Sequence, residues 1–77
     1  MLIFNKKKAM YDFYSKHKVF LYWYLTKYTN LPEKLYYLFM KDIVECLAQD
    51  IGELVGLDEQ EQHKWIMKQV DDFATKE

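Results

Sequence analysis

Arginine is absent from this chain, and one cysteine, one proline and two glycines are all it has of those residues. Each shortage excludes something. Cys46 has no partner for an intramolecular disulfide, and it suits a reducing cytosol or a buried position where the thiol acts as a small apolar group. Gly52 and Gly56 are too few for a glycine-rich phosphate loop. A single proline, Pro32, leaves long stretches free to run as uninterrupted helix. Without arginine, the commonest bidentate reader of guanine is missing. Long apolar runs are also lacking. The longest, Val19 to Leu25, is far short of the ~18–20 residues that cross a bilayer. Lys6, Lys7 and Lys8 ahead of it resemble a signal-peptide n-region, but Lys16, His17 and Lys18 interrupt it and no small-residue cleavage site follows. The expectation is a cytoplasmic protein without a membrane span.

The 77 residues make one domain at most, read here as a single helical domain over 1–77. A core of that size rarely supplies more than ~3–5 kcal/mol, so small domains often need staples or partners. With disulfides excluded, self-association is the remaining staple, and a homodimer is expected. Aromatic residues are abundant and uneven, with twelve of the fourteen in the first forty positions. Charge is uneven too. Residues 1–41 hold eight lysines and two acids, and residues 42–77 hold three lysines and ten acids, so a +6 part and a −7 part give the net −1.

Helical punctuation divides the chain into segments of about 6–28, 32–55 and 59–75. Asn5 is placed to cap the first. Asn30 and Glu33 have capping-box spacing, with Pro32 in the first turn of the second. Asp58 and Glu61 repeat that spacing for the third, and Gly56 sits where a left-handed residue would end the helix before it. Leu35, Phe39, Ile43, Leu47, Ile51 and Leu54 advance by three or four residues and form one stripe, as do Ile66, Val70 and Phe73. In the first segment Met10, Phe13, His17, Phe20, Tyr24 and Tyr28 form a stripe, although Val19–Leu25 is apolar all round and also suits a strand. Helix is preferred because no second strand exists to pair with it. The fold class is therefore an all-α three-helix antiparallel bundle, dimeric through the first two helices. Antiparallel neighbours would set Lys8, Lys16 and Lys18 opposite Glu45, Asp50 and Glu53, each charged end offsetting the other's helix dipole.

Several residue groups bear on function. Lys6, Lys7, Lys8, Tyr11, Phe13, Tyr14, Lys16 and Lys18 mix cations with rings, as single-strand binders do, although the acids of the second helix can absorb that charge. Asp50–Met67 resembles the helix-turn-helix motif of DNA-binding regulators. Ile51, Leu54, Val55 and Leu57 match its apolar positions, Gly56 its turn glycine, and Trp65-Ile66 its closing pair. That resemblance implies DNA contact by Gln60, Lys64 and Lys68. It departs at Gln62, where the motif wants an apolar residue, and in a reading face (Glu59, Gln60, Glu61, His63, Lys64) that is acidic on balance. His17, His63 and Cys46 have no ligand partner at metal-site spacing. The pairs Asp42–Glu45 and Asp50–Glu53 lie off the apolar stripe and read as solvated surface. Neither a cofactor nor a metal is expected, and no catalysis.

The aromatic excess remains. A bundle helix buries one face, so Val19, Tyr22 and Trp23 point largely elsewhere, and Tyr36, Tyr37 and Met40 flank the stripe of the second helix. Tyrosine and tryptophan bury much area while keeping a polar edge, which suits interface hot spots. The sequence thus points to a small non-enzymatic protein–protein interaction module, a regulator, adaptor or inhibitor, with Val19, Tyr22, Trp23, Tyr36, Tyr37 and Met40 as its contact surface. The alternative is a DNA-binding regulator using residues 50–67.

Overall fold

A computed structural model of the chain describes residues 4–76; positions 1–3 and 77, the ends of the domain read from the sequence, lie outside them. Three α-helices follow one another: α1 (Lys6–Tyr28), α2 (Tyr36–Leu54, entered through a 3₁₀ turn at Glu33–Leu35) and α3 (Glu59–Lys76). No strand occurs among the described residues. Phe39 of α2 meets Phe73 of α3, while Leu54 at the other end of α2 meets Gln62 near the start of α3, so these two helices are antiparallel. His17 pairs with Gln62 and Tyr24 with Asp71, so α1 and α3 run in the same direction. The result is an up-down-up bundle, elongated at 46 × 22 × 19 Å.

Two helix starts follow their capping residues. The Lys8 N–H donates to Asn5 Oδ1 at 3.1 Å, and the Glu61 N–H donates to Asp58 Oδ1 at 2.9 Å. Each cap satisfies one of the free donors at a helix start and contributes about 1 kcal/mol.

The start of α2 differs from the expected capping box. Pro32 precedes it without a side-chain cap, and the Leu35 N–H closes a 3₁₀ turn on the Pro32 carbonyl at 2.9 Å. Thr29 is the organising residue instead. Its hydroxyl donates to the Leu25 carbonyl at 2.6 Å and accepts from the Leu31 N–H at 3.4 Å. Thr29 is extended (φ −125°, ψ 157°), which turns the buried Leu31 into the core.

Gly56 also departs from expectation. No glycine among the described residues has a positive φ, and Val55 (φ −64°, ψ −21°) keeps the right-handed sense. The Gly56 and Leu57 N–H groups reach back three residues to Glu53 and Leu54 at 3.1 and 3.0 Å. Such tightening satisfies terminal carbonyls without a left-handed residue.

The stripes of α2 and α3 are those of the sequence: Phe39, Ile43, Leu47, Ile51 and Leu54 are buried, as are Ile66, Val70 and Phe73. In α1 the buried line is Phe13, His17, Leu21 and Leu25, rotated from the expected one. Phe20 and Tyr24 lie at the edge of the core and Tyr28 is exposed. For Tyr24 and Tyr28 the physical reason is the phenol, which keeps its O–H near water or a partner, whereas Phe20 stacks on His63 of α3. Tyr24 donates to the Asp71 carboxylate at 3.0 Å, and the compact Leu21 and Leu25 take the inside.

The expected ion pairing between α1 and α2 is not made. Of the four ion pairs among the described residues, Lys8–Asp12 lies within α1 and the other three lie within α3. Lys8 bonds to Asp12 at 2.8 Å, and Asp50 accepts from the Trp65 indole at 2.8 Å. Exposed pairs contribute only ~0–1 kcal/mol, too little to draw long side chains across a helix interface.

Candidate interaction surface

Because Phe13, His17, Leu21 and Leu25 already fill the inner face of α1, its other apolar side chains stay outside. Val19 is 76% exposed, Trp23 47% and Tyr22 39%, and on α2 Tyr37 is 68% exposed. Tyr36 and Met40 are half-buried against the edge of the core. Four of the six residues singled out in the sequence are therefore exposed and two are partly committed to packing.

They divide between two sides of the molecule. Val19 and Trp23 line a shallow hollow with Phe20, Lys16, and Glu59 and His63 of α3. Within it Phe20 stacks on His63, with ring centres 4.0 Å apart and planes 8° apart, and Trp23 stands edge-on to Tyr28 at 5.1 Å. Tyr22 belongs to the other side, its hydroxyl 3.2 Å from that of Tyr14. That hydrogen bond, aided by burial, pushes the Tyr14 phenol up to about 12.

Tyr14 opens onto a groove of about 200 Å³ between α1 and α2, lined almost wholly by apolar atoms. Met10 and Tyr11 flank it from α1, Val44 and Leu47 from α2, and Trp65 of α3 reaches its floor. Tyr37 and Met40 continue the Val44 side of α2, seven and four residues before it, two helical turns and one. The sequence points to Tyr11 only within the basic N-terminal group and not to Val44, although Tyr11 is 70% exposed and Val44 51%. Their signal was present, since Tyr11 precedes Tyr22 by three turns and Val44 follows Tyr37 by two.

Beneath this surface lies a polar connection. Gln62 is buried and donates through Nε2 to the Leu54 carbonyl at 2.8 Å, so its Oε1 faces His17 Nε2 at 2.7 Å. An amide oxygen only accepts, so His17 carries a proton on Nε2. Burial pushes the His17 imidazolium down from the usual range; the Gln62 hydrogen bond opposes this, and His63 and Lys16 add to the lowering. The two imidazoles meet edge to face at 5.0 Å, with His63 Nε2 3.7 Å from Glu59. Cys46 sits half-buried on α2, where burial, with Asp42 and Asp50 nearby, raises its thiol.

The residues implied by the helix-turn-helix resemblance are also placed. Gln60, Lys64 and Lys68 are all exposed on α3. Lys64 pairs with Glu61 at 3.3 Å and Lys68 with Asp72 at 3.8 Å, so an acid accompanies each cation. Gln62, the departure from that motif, takes the buried position with both ends of its amide bonded.

Comparison with protein families, curated proteins and solved structures gives no match to this chain. The functional reading therefore rests on the surface itself. No helix among the described residues is long and apolar enough to cross a membrane.

Proposed function

We propose that this protein is a small non-catalytic interaction module that associates, with itself or with a protein partner, through the aromatic surface of α1 and α2. The observation that carries this reading is the exposure of Val19, Trp23, Tyr37 and Tyr11 around a core already complete without them. Large rings left in water on ordered helices are poised to bury area at small entropic cost when a partner arrives, which is how interface hot spots work. Action of this kind needs no cofactor and fits a regulator, adaptor or inhibitor that occupies another protein's surface.

The helix-turn-helix reading has less support. The lysines it would set against phosphate are accompanied by Glu61 and Asp72, and each such carboxylate repels the DNA backbone.

Sedimentation velocity over rising protein concentration, with Trp23→Ala beside the parent, tests the proposal. The expected result is assembly, alone or with a partner, that Trp23→Ala weakens while the helical content is kept. A variant that assembles equally well but melts earlier would return Trp23 to the fold and remove it from the surface.

A further inference from the structure

The groove between α1 and α2 carries lysines at its rim, without acids on the α1 side. Lys18 lies one turn after Tyr14 and one turn before Tyr22, the two phenols whose hydroxyls meet 3.2 Å apart, so it stands on the groove side of α1. Lys7 precedes Tyr11 by one turn. Lys41 precedes Val44 by three residues on α2, the same side. All three lysines are exposed, and none is within ion-pair distance of an acid among the described residues. Carboxylates avoid the α1 side of this rim. Asp12 is held by Lys8 and faces the hollow beside Ala9, Phe13 and Gln62, and Asp50 is bonded to Trp65, while on α2 Glu45 stands one turn after Lys41. An apolar slot edged by lysines results.

We propose that this groove receives an acidic amphipathic helix from a partner protein, its apolar anchors on the floor and its carboxylates beside Lys7, Lys18 and Lys41. The proposal rests on the interaction-module reading and names the partner's chemistry. Helix-in-groove recognition needs a concave apolar channel between helices, which this is. The slot is about 200 Å³, room for an anchor side chain or two rather than a small-molecule chamber of several hundred. Single-stranded nucleic acid is the weaker occupant. Three lysines without arginine neutralise few phosphates, and the floor is a cleft for side chains instead of an open platform for bases.

The test is fluorescence anisotropy with a labelled helical peptide bearing leucines and a tryptophan on one face and glutamates elsewhere. A twin carries lysines in place of the glutamates, and oligothymidine serves as the third probe. The glutamate peptide should bind at least about tenfold more tightly than its twin, and Lys18→Glu with Lys41→Glu should reverse that preference. Lys27→Glu, on the face of α1 opposite Lys18, should leave it unchanged. Circular dichroism should be alike for all variants, since only exposed side chains change. Equal binding of the twins, or binding of oligothymidine alone, would overturn the proposal. If Trp23→Ala alters sedimentation while neither peptide binds, the groove proposal falls and the broader interaction reading stands.

Discussion

His17 Nε2 donates to Gln62 Oε1 across 2.7 Å because the Gln62 amide nitrogen is already committed to the Leu54 carbonyl at 2.8 Å. One glutamine thereby ties α1 to α3 and closes the last turn of α2. A buried bond of this kind contributes only ~1 kcal/mol net, but stranding either partner costs ~1–3 kcal/mol. Gln62→Leu should therefore lower stability by about 1–3 kcal/mol, because it orphans the His17 N–H, whereas the Leu54 carbonyl keeps the Leu57 N–H at 3.0 Å. His17→Phe should cost about as much alone. The double variant should be more stable than the two losses added together, since His17 and Gln62 no longer strand each other. Urea titrations with an unchanged m-value would show it, and strict additivity would mean that the two residues do not act together.

The same histidine sets a pH dependence. Its folded-state pKa lies below that of the free side chain, ~6.5, so the unfolded chain binds more protons in the interval between the two. The stabilisation is fully present above pH ~6.5 and is lost as pH falls through the folded value. Groups facing His17 act on both sides: His63 and Lys16 disfavour its charge, while Gln62 and Glu59 favour it. Melting temperature followed from pH 7.5 to 5 should fall, and His17→Phe should flatten the slope. An unchanged slope in that variant would place the acid sensitivity elsewhere.

Much of this architecture was legible in the sequence because local chemistry dictated it. Asn5 and Asp58 cap the helices they were expected to cap, and the stripes of α2 and α3 emerge from simple three- and four-residue spacing. α1 was legible as a helix but not in its rotation. With apolar residues on every side, periodicity cannot choose between Phe20–Tyr24–Tyr28 and Leu21–Leu25, and the choice came from where tyrosine hydroxyls find partners. Gly56 was over-read, since a helix end can tighten without a left-handed residue. The His17–Gln62 pair had no local signal, because forty-five residues separate its members. Four of the six surface residues expected from the aromatic excess are exposed, and their division between two sides needed the packing of α3.

Trp65 makes a further prediction accessible. Its indole donates to Asp50 at 2.8 Å while its ring stands edge-on to Phe13 at 5.7 Å on the groove floor. Trp65→Phe keeps a ring there and loses the hydrogen bond to a charged group, which should cost roughly 1.5–3 kcal/mol. Denaturant unfolding measures it, and a loss below ~0.5 kcal/mol would show that water replaces the indole at Asp50 without penalty.

Duplex DNA separates the two functional readings. With Lys64 and Lys68 beside acids, labelled mixed-sequence duplex should show no salt-sensitive binding even at low ionic strength. Steep salt-dependent binding that disappears in Lys64→Glu with Lys68→Glu would instead favour contact through α3.

Site-specific photo-crosslinking tests the central claim most directly, with a photoreactive residue placed in turn at Trp23, Tyr37, Val44, Gln60 and Lys64 in the cells that make this protein. Covalent adducts to protein, whether a second copy or a partner, should form from Trp23, Tyr37 and Val44 and not from Gln60 or Lys64. Adducts confined to Gln60 and Lys64, above all to nucleic acid, would contradict an aromatic protein-binding surface.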